Sequence, residues 1–86
     1  MSWQVEFKET AKKDINTLNP TTRRRVGVKI QYFLSKPNPL IYSVKLADSK
    51  VGQYRWRIGD YRVLFDVHGT KIIVLAVDHR REVYKK

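Results

Sequence analysis

Apolar residues change their spacing several times along this chain, and each change marks a boundary between elements. Residues 2–7 alternate, with Trp3, Val5 and Phe7 on one face, the period of a half-buried strand. Over residues 9–18 the period lengthens. Ala11, Ile15 and Leu18 fall at i, i+4 and i+7, one face of a short helix. Asn19-Pro20 ends that helix and opens another, with Asn19 as N-cap and Pro20 at the first helical position, where a missing N–H costs nothing. The second helix carries Val26, Ile30, Phe33 and Leu34 as its apolar stripe and runs to Ser35, before Pro37 and Pro39. The two helices read as an αα-hairpin. Residues 40–53 stay open: Ile41–Leu46 fits an extended edge segment, followed by a polar loop through Gly52.

From Tyr54 the period is two. Tyr54-Arg55-Trp56-Arg57-Ile58 alternates apolar residues with arginine, a strand with two unlike faces. Gly59-Asp60 is a two-residue turn with glycine first. Tyr61–Val67 forms the next strand, His68-Gly69 a second tight turn, and Thr70–Val77 a third strand. Asp78–Lys86 is a basic tail anchored only by Val83 and Tyr84. The expected fold class is α+β, a single domain over residues 1–86: an N-terminal strand, an αα-hairpin and a three-stranded antiparallel meander.

The two turns set a register. Through Gly59-Asp60, Ile58 faces Tyr61, Arg57 faces Arg62, Trp56 faces Val63 and Arg55 faces Leu64. Through His68-Gly69, Asp66 faces Lys71, Phe65 faces Ile72, Leu64 faces Ile73 and Val63 faces Val74. Tyr54, Trp56, Ile58, Tyr61, Val63, Phe65, Ile72 and Val74 then share an apolar face that belongs under the helices. The opposite face carries Arg55, Arg57 and Arg62 beside Leu64, Ile73 and Leu75. A directly opposed Arg57–Arg62 pair costs a few tenths to about 1 kcal/mol, and the first hairpin has no acid on that face to relieve it. For any one such pair, arginine stems covering apolar neighbours is the ordinary explanation. Three arginines on one face point instead to an anion site. Asp66 opposite Lys71 is an ordinary cross-strand ion pair.

Charge sharpens that picture. The 86 residues hold 18 Lys+Arg against 8 Asp+Glu, a formal charge of +10, and 42% of them are hydrophobic. Such a chain folds rather than forming a disordered basic tail, and its natural partner is a polyanion: nucleic acid or an acidic protein. The absence of cysteine excludes a disulfide scaffold, an iron–sulfur site, a thiol nucleophile and cysteine-ligated zinc. Two histidines cannot build a three-histidine metal site, although mixed His/carboxylate ligation stays formally open; no cofactor is expected. No apolar run reaches the roughly 18–20 residues that span a bilayer, and residues 1–10 lack a secretory apolar core, so a cytoplasmic, membrane-free location is expected.

Arg23, Arg24, Arg25 and Lys29 lie largely outside the helical stripe, either as a solvated face or as a surface steering a large polyanion. His68 sits in a turn. His79 precedes Arg80 and Arg81 and is a candidate general base, although a lone histidine is more often incidental. Trp3, Trp56, Tyr54 and Tyr61 fall on apolar faces and read as core. Tyr84 is the exposed aromatic candidate, for stacking or for anchoring the tail. No catalytic triad, glycine-rich phosphate loop or carboxylate pair stands out.

The hairpin Tyr54-Arg55-Trp56-Arg57-Ile58-Gly59-Asp60-Tyr61-Arg62-Val63-Leu64-Phe65, following a basic αα-hairpin, and the tail His79-Arg80-Arg81-Glu82-Val83-Tyr84 together resemble the RelE/ParE superfamily of type II toxin–antitoxin toxins. The resemblance covers essentially the whole chain and implies a microbial-RNase-like fold. It implies two chemistries: RelE-like ribosome-dependent mRNA endonucleases, and ParE-like gyrase inhibitors without nuclease residues. A third reading is a degenerate member acting only with its antitoxin as a DNA-binding repressor. Carried over by position, the resemblance makes Arg55, Arg57, Arg62, Arg80 and Tyr84 the catalytic set, with Arg81 a lesser alternative to Arg80. Arg23, Arg24, Arg25, Lys29 and Arg81 then contact RNA or the ribosome. Implied partners are a cognate antitoxin, the 70S ribosome with its mRNA, and operator DNA reached through the antitoxin. Arg55 and Arg57 stand where the best-known member has lysines. Arginine is a poor general base, so proton transfer falls to another group, His79 being the natural candidate. Leu64, Ile73 and Leu75, apolar and rimmed by charge, are the expected antitoxin contact.

Overall fold

A computed structural model of the chain describes residues 2–48 and 50–79. In chain order it shows β1 (Gln4–Phe7), α1 (Glu9–Asn16), α2 (Pro20–Leu34), a 3-10 turn (Pro39–Tyr42), β2 (Ser43–Lys45), β3 (Tyr54–Ile58), β4 (Tyr61–His68) and β5 (Lys71–His79). The strands form one five-stranded mixed sheet in the order β1-β5-β4-β3-β2. Both helices, β1 and the meander fall where the sequence places them. The open segment resolves into the 3-10 turn and the edge strand β2, which pairs antiparallel with β3.

Local chemistry explains the helix boundary. The Asn19 side chain accepts from the Thr22 N–H at 2.8 Å, and Pro20 occupies the first helical turn. The helices cover one sheet face. Ala11, Val26, Ile30 and Phe33 pack against Trp56, Ile58, Val63, Phe65, Ile72, Val74 and Val77. The Trp56 ring sits between Phe33 and Phe65, with centroids 4.9 and 4.2 Å away, and its Nε1 donates to Pro39 O at 3.2 Å. β1 closes the sheet by pairing parallel to β5, Val5 beside Ile72 and Phe7 beside Val74. No described helix is long and apolar enough to cross a membrane.

The first hairpin has the expected register throughout: Ile58 faces Tyr61, Arg57 faces Arg62, Trp56 faces Val63 and Arg55 faces Leu64. The second does not. Its turn is Gly69-Thr70, not His68-Gly69, so His68 faces Lys71, Val67 faces Ile72, Asp66 faces Ile73 and Phe65 faces Val74. The pairing moves by two residues, which preserves the faces and keeps Phe65, Ile72 and Val74 in the core. The expected Asp66–Lys71 pair is therefore absent. Asp66 accepts from the Gln53 N–H at 2.9 Å, and Lys71 pairs with Glu6 on β1 at 3.2 Å.

A bulge between Leu64 and Phe65 then shifts the register again, and Leu64 faces Ala76, Val63 faces Val77, Arg62 faces Asp78 and Tyr61 faces His79. The extra residue on β5 is Leu75. Its carbonyl accepts from the Thr10 hydroxyl of α1, and the Asp14 carboxylate one helical turn later accepts from the Val77 N–H at 2.9 Å. Two polar side chains of α1 thus satisfy backbone groups of the bulged segment, where the ladder alone leaves groups unpaired.

Candidate anion-binding face

Strict alternation along β3 and β4 sends Trp56, Ile58 and Val63 into the core and leaves Arg55, Arg57 and Arg62 on the face away from the helices. Arg57 is exposed and Arg55 half-buried. The Arg55 Nε is enclosed, with no hydrogen-bond partner among the described residues. Arg62 lies between Arg57 on β3 and Asp78 on β5. Its guanidinium meets the Asp78 carboxylate at 3.3 Å, with 14% of the Arg62 side chain and 35% of the Asp78 side chain exposed. The expectation that no acid relieves the Arg57–Arg62 opposition holds for the first hairpin alone. The third strand supplies Asp78, which strand pairing predicted without the bulge would not bring there.

The apolar part of this face is less open than expected. Leu64 is only 6% exposed, while Ile73 and Leu75 are half-buried. The β2–β3 loop lies over Leu75. Gly52 has φ 140°, and a Cβ there would stand 3.2 Å from the Leu75 Cδ1. Gln53 ties the loop to β4, donating from its N–H to Phe65 O at 3.2 Å and accepting at Oε1 from the Val67 N–H at 2.9 Å. Leu64 is thus a covered residue and not an exposed partner contact. Among the described residues the exposed large apolar side chains are Val28, Tyr32, Ile41, Tyr42, Val44 and Val51. Of these, Val44 faces Arg55 across β2 and β3, at the rim of the arginine face.

His79 departs from its expected place. Paired with Tyr61, it lies on the helix side of the sheet, edge-on to the Tyr61 ring with centroids 4.8 Å apart. It lines a cavity of about 330 Å³ with Asp14, Thr17, Leu18, Tyr61, Val77 and Asp78. Its Nδ1 is enclosed, with no hydrogen-bond partner among the described residues. An odd number of residues added by the bulge turns His79 to the sheet face opposite Arg57 and Arg62.

The basic side of α2 divides as well. Arg23 folds back over the end of α1, donating to Ile15 O at 3.3 Å, Asn16 O at 3.4 Å and Leu18 O at 3.0 Å. Ile15 and Asn16 close the last turn of α1, where the helix dipole is negative, and Leu18 sits in the link to α2, so Arg23 ties the helix junction together rather than standing as a free steering charge. Arg24 is exposed. Arg25 reaches the β3–β4 turn, where a Cβ at Gly59 would lie 3.4 Å from its terminal nitrogen. Lys29 lies over the Tyr32 ring at 4.9 Å. Arg80, Arg81 and Tyr84 lie outside the described residues. Among the described residues no three His, Asp or Glu side chains gather as metal ligands would.

This arrangement is suited to an anion. Guanidinium groups match phosphate oxygens with paired N–H donors and stay charged through the physiological range, chemistry that fits stabilising negative charge better than moving protons.

Residues 5–84 match the family model of the ParE toxin of the type II toxin–antitoxin system parDE. The chain is 31% identical over 88 residues to toxin RelG of Mycobacterium tuberculosis, covering 100% of both. Among solved structures it is similar to the toxin–antitoxin complex RelBE2 of M. tuberculosis, with 27% identity and a TM-score of 0.72 over 93% of this chain and 100% of that one. The archaeal RelE–RelB complex of Pyrococcus horikoshii is similar at 26% identity and a TM-score of 0.72, over 93% and 97% of the two chains.

Proposed function

The chain belongs to the ParE toxin family of the RelE/ParE superfamily, toxins of type II toxin–antitoxin systems, and from that premise we propose that it is a ribosome-dependent mRNA endonuclease. The observation that carries this reading is the arginine face, with Arg57 directly opposite Arg62 and Arg55 alongside. In the reaction the RNA 2′-oxygen bonds to the adjacent phosphorus and the bond to the 5′-oxygen breaks. The products are a 2′,3′-cyclic phosphate and a 5′-OH. The proton lost by the 2′-OH balances the one gained by the leaving oxygen, and the step consumes no water and calls for no metal. Arg55, Arg57 and Arg62 stabilise charge developing on the phosphorane oxygens, the term that is often largest in catalysis. Proton transfer belongs to groups other than these arginines and His79. Arg80 and Tyr84 complete the proposed site, with Tyr84 stacking on a base or orienting the 2′-OH.

The same face supports dependence on the ribosome. It holds three strong cations and no free general base among the described residues, which suits a site whose message is positioned from outside the toxin. Arg24, Arg25 and Lys29 supply a basic flank for ribosomal RNA, and Arg81 is assigned to the same role. The partner in the resting state is a cognate antitoxin, as the RelB-containing complexes of the similar toxins support, and the charge of the arginine face makes it the surface that antitoxin covers. Through it the pair reaches operator DNA. Charge complementarity speeds that encounter, with Ile73 and the rim residue Val44 as the apolar contacts and Leu75 beneath the β2–β3 loop.

The ParE name of the matching family supports a second reading, gyrase inhibition without nuclease activity. Primer extension on messages after induction separates the two. Discrete cuts within translated codons establish the nuclease, whereas intact messages with double-strand DNA breaks establish gyrase inhibition.

A further inference from the structure

We propose that Asp78 is the positioning residue of the arginine face, and that the β5 bulge exists in this fold to deliver it to Arg62. The inference rests on the nuclease reading for its catalytic consequence, not for its geometry.

The geometry begins at the Gly69-Thr70 turn. The pairing that leaves this turn sets His68 against Lys71 and Phe65 against Val74. Continued without interruption, it would place Val77 against Arg62, on the arginine face, and turn Asp78 toward the helices opposite Tyr61. The bulge at Leu75 adds one residue and reverses both placements. Val77 enters the core, 6% exposed and opposite Val63, and Asp78 comes to face Arg62. A single irregularity thus removes an apolar residue from the anion face and puts a carboxylate there. α1 holds the irregularity in place through Thr10 on the Leu75 carbonyl and Asp14 on the Val77 N–H.

Arg62 then stands between a like charge and an opposite one. Arg57 repels its guanidinium from the β3 side, and Asp78 draws it toward β5 at 3.3 Å. Arg57 makes no ion pair among the described residues, so the two guanidinium groups differ in mobility. Arg57 is exposed and adaptable, whereas the enclosed Arg62 is held at one end by a carboxylate. A catalytic cation works best when its orientation is set before the reaction, and a hydrogen-bonded partner sets it. The same carboxylate weakens ground-state attraction for RNA, because it places a negative charge beside the phosphate site. Asp78 therefore trades RNA affinity for a fixed Arg62.

The test is Asp78→Asn, which keeps the shape and removes the charge. It is measured by single-turnover cleavage of mRNA on purified ribosomes and by affinity for a non-cleavable 2′-O-methyl message on the same ribosomes. The expected result is a maximal rate lower by roughly 10–100-fold, as for loss of a supporting partner, with affinity equal to or tighter than wild type. Asp78→Glu recovers part of the rate. In an Arg62→Ala background, Asp78→Asn causes no further loss, because Asp78 acts only through Arg62. An equal loss in that background overturns the proposal, since Asp78 would then act on the substrate directly. Unchanged cleavage, or weaker binding by a folded Asp78→Asn, overturns it as well. Guanidinium NMR of Arg62 in the wild-type protein guards against misfolding of the variants. Slow exchange and restricted rotation support the hold by Asp78, and a freely rotating group refutes it. If the wild-type protein cuts no message, the nuclease reading fails, while the NMR and RNA-affinity results still decide whether Asp78 restrains Arg62.

Discussion

The β3–β4 and β4–β5 hairpins share a strand and turn alike, on glycines with φ 61° and 64°, yet one ladder is regular and the other is not. The regular hairpin alternates without interruption: aromatic and aliphatic side chains turn inward, and Arg55, Arg57 and Arg62 turn outward beside Leu64. The bulged hairpin mixes its faces on purpose. It sends His79 to the helix side, Asp78 to the arginine side and Val77 to the core. The contrast shows a division of labour. Regularity displays the cations of the candidate site, and irregularity adjusts them. The helices take part unequally, α2 in the core and α1 also as the clamp on the bulge.

The largest expected effect lies under the regular hairpin. Trp56, fully buried between Phe33 and Phe65, holds β3 on the helices. Trp56→Ala should cost about 3–5 kcal/mol. A chain of 86 residues has a stability of only about 4–13 kcal/mol, so chemical denaturation should show much of it lost. Arg62→Ala comes next and separates function from fold. Cleavage on ribosomes should fall about 10²–10³-fold, near 2.7–4 kcal/mol, as when one oxyanion donor is removed. The folded state should lose only about 1 kcal/mol or less by thermal melting, because relief from Arg57 offsets the lost Asp78 pair.

A smaller effect probes the bulge directly. Thr10→Val removes the hydroxyl on the Leu75 carbonyl at nearly constant volume. It should cost about 0.5–1.5 kcal/mol by denaturation, with faster amide exchange at residues 75–78 than in β3. The smallest effect is electrostatic. The hydrogen bond from Lys71 and then its charge hold the Glu6 carboxyl below the ordinary value of 4.5. A depressed carboxyl stabilises the fold above its unfolded pKa and loses that contribution as pH falls through the folded value. The stability advantage of wild type over Glu6→Gln should therefore be constant near neutrality and shrink below pH 4.5.

Much of this was legible from the chain alone. Alternation and the Gly59-Asp60 turn produce the whole β3–β4 register, and Asn19-Pro20 marks the helix boundary that the Asn19 cap realises. The second turn was legible in principle. Placing glycine first, as at Gly59, selects Gly69-Thr70 over His68-Gly69. Three features were not. The parallel β1–β5 pairing joins segments 60 and more residues apart, with no turn to announce it. The bulge depends on a hydroxyl and a carboxylate from α1, and local pattern rules do not see partners so distant in sequence. Asp78 looked like the first residue of a polar tail because its charge acquires meaning only after the bulge brings it to Arg62. Covering of Leu75 was hidden for a similar reason, since it needs the positive φ of Gly52 in a loop without periodicity.

On the proposed reading the arginine face performs phosphoryl chemistry on RNA. The most direct measurement is end analysis of a defined mRNA incubated with ribosomes and the purified toxin, wild type beside Arg62→Ala. Wild type should yield new 3′ ends carrying a 2′,3′-cyclic phosphate and matching 5′-OH ends, reduced by two or more orders of magnitude in the variant. Uncut message with both proteins, or equal cleavage by the two, would contradict it.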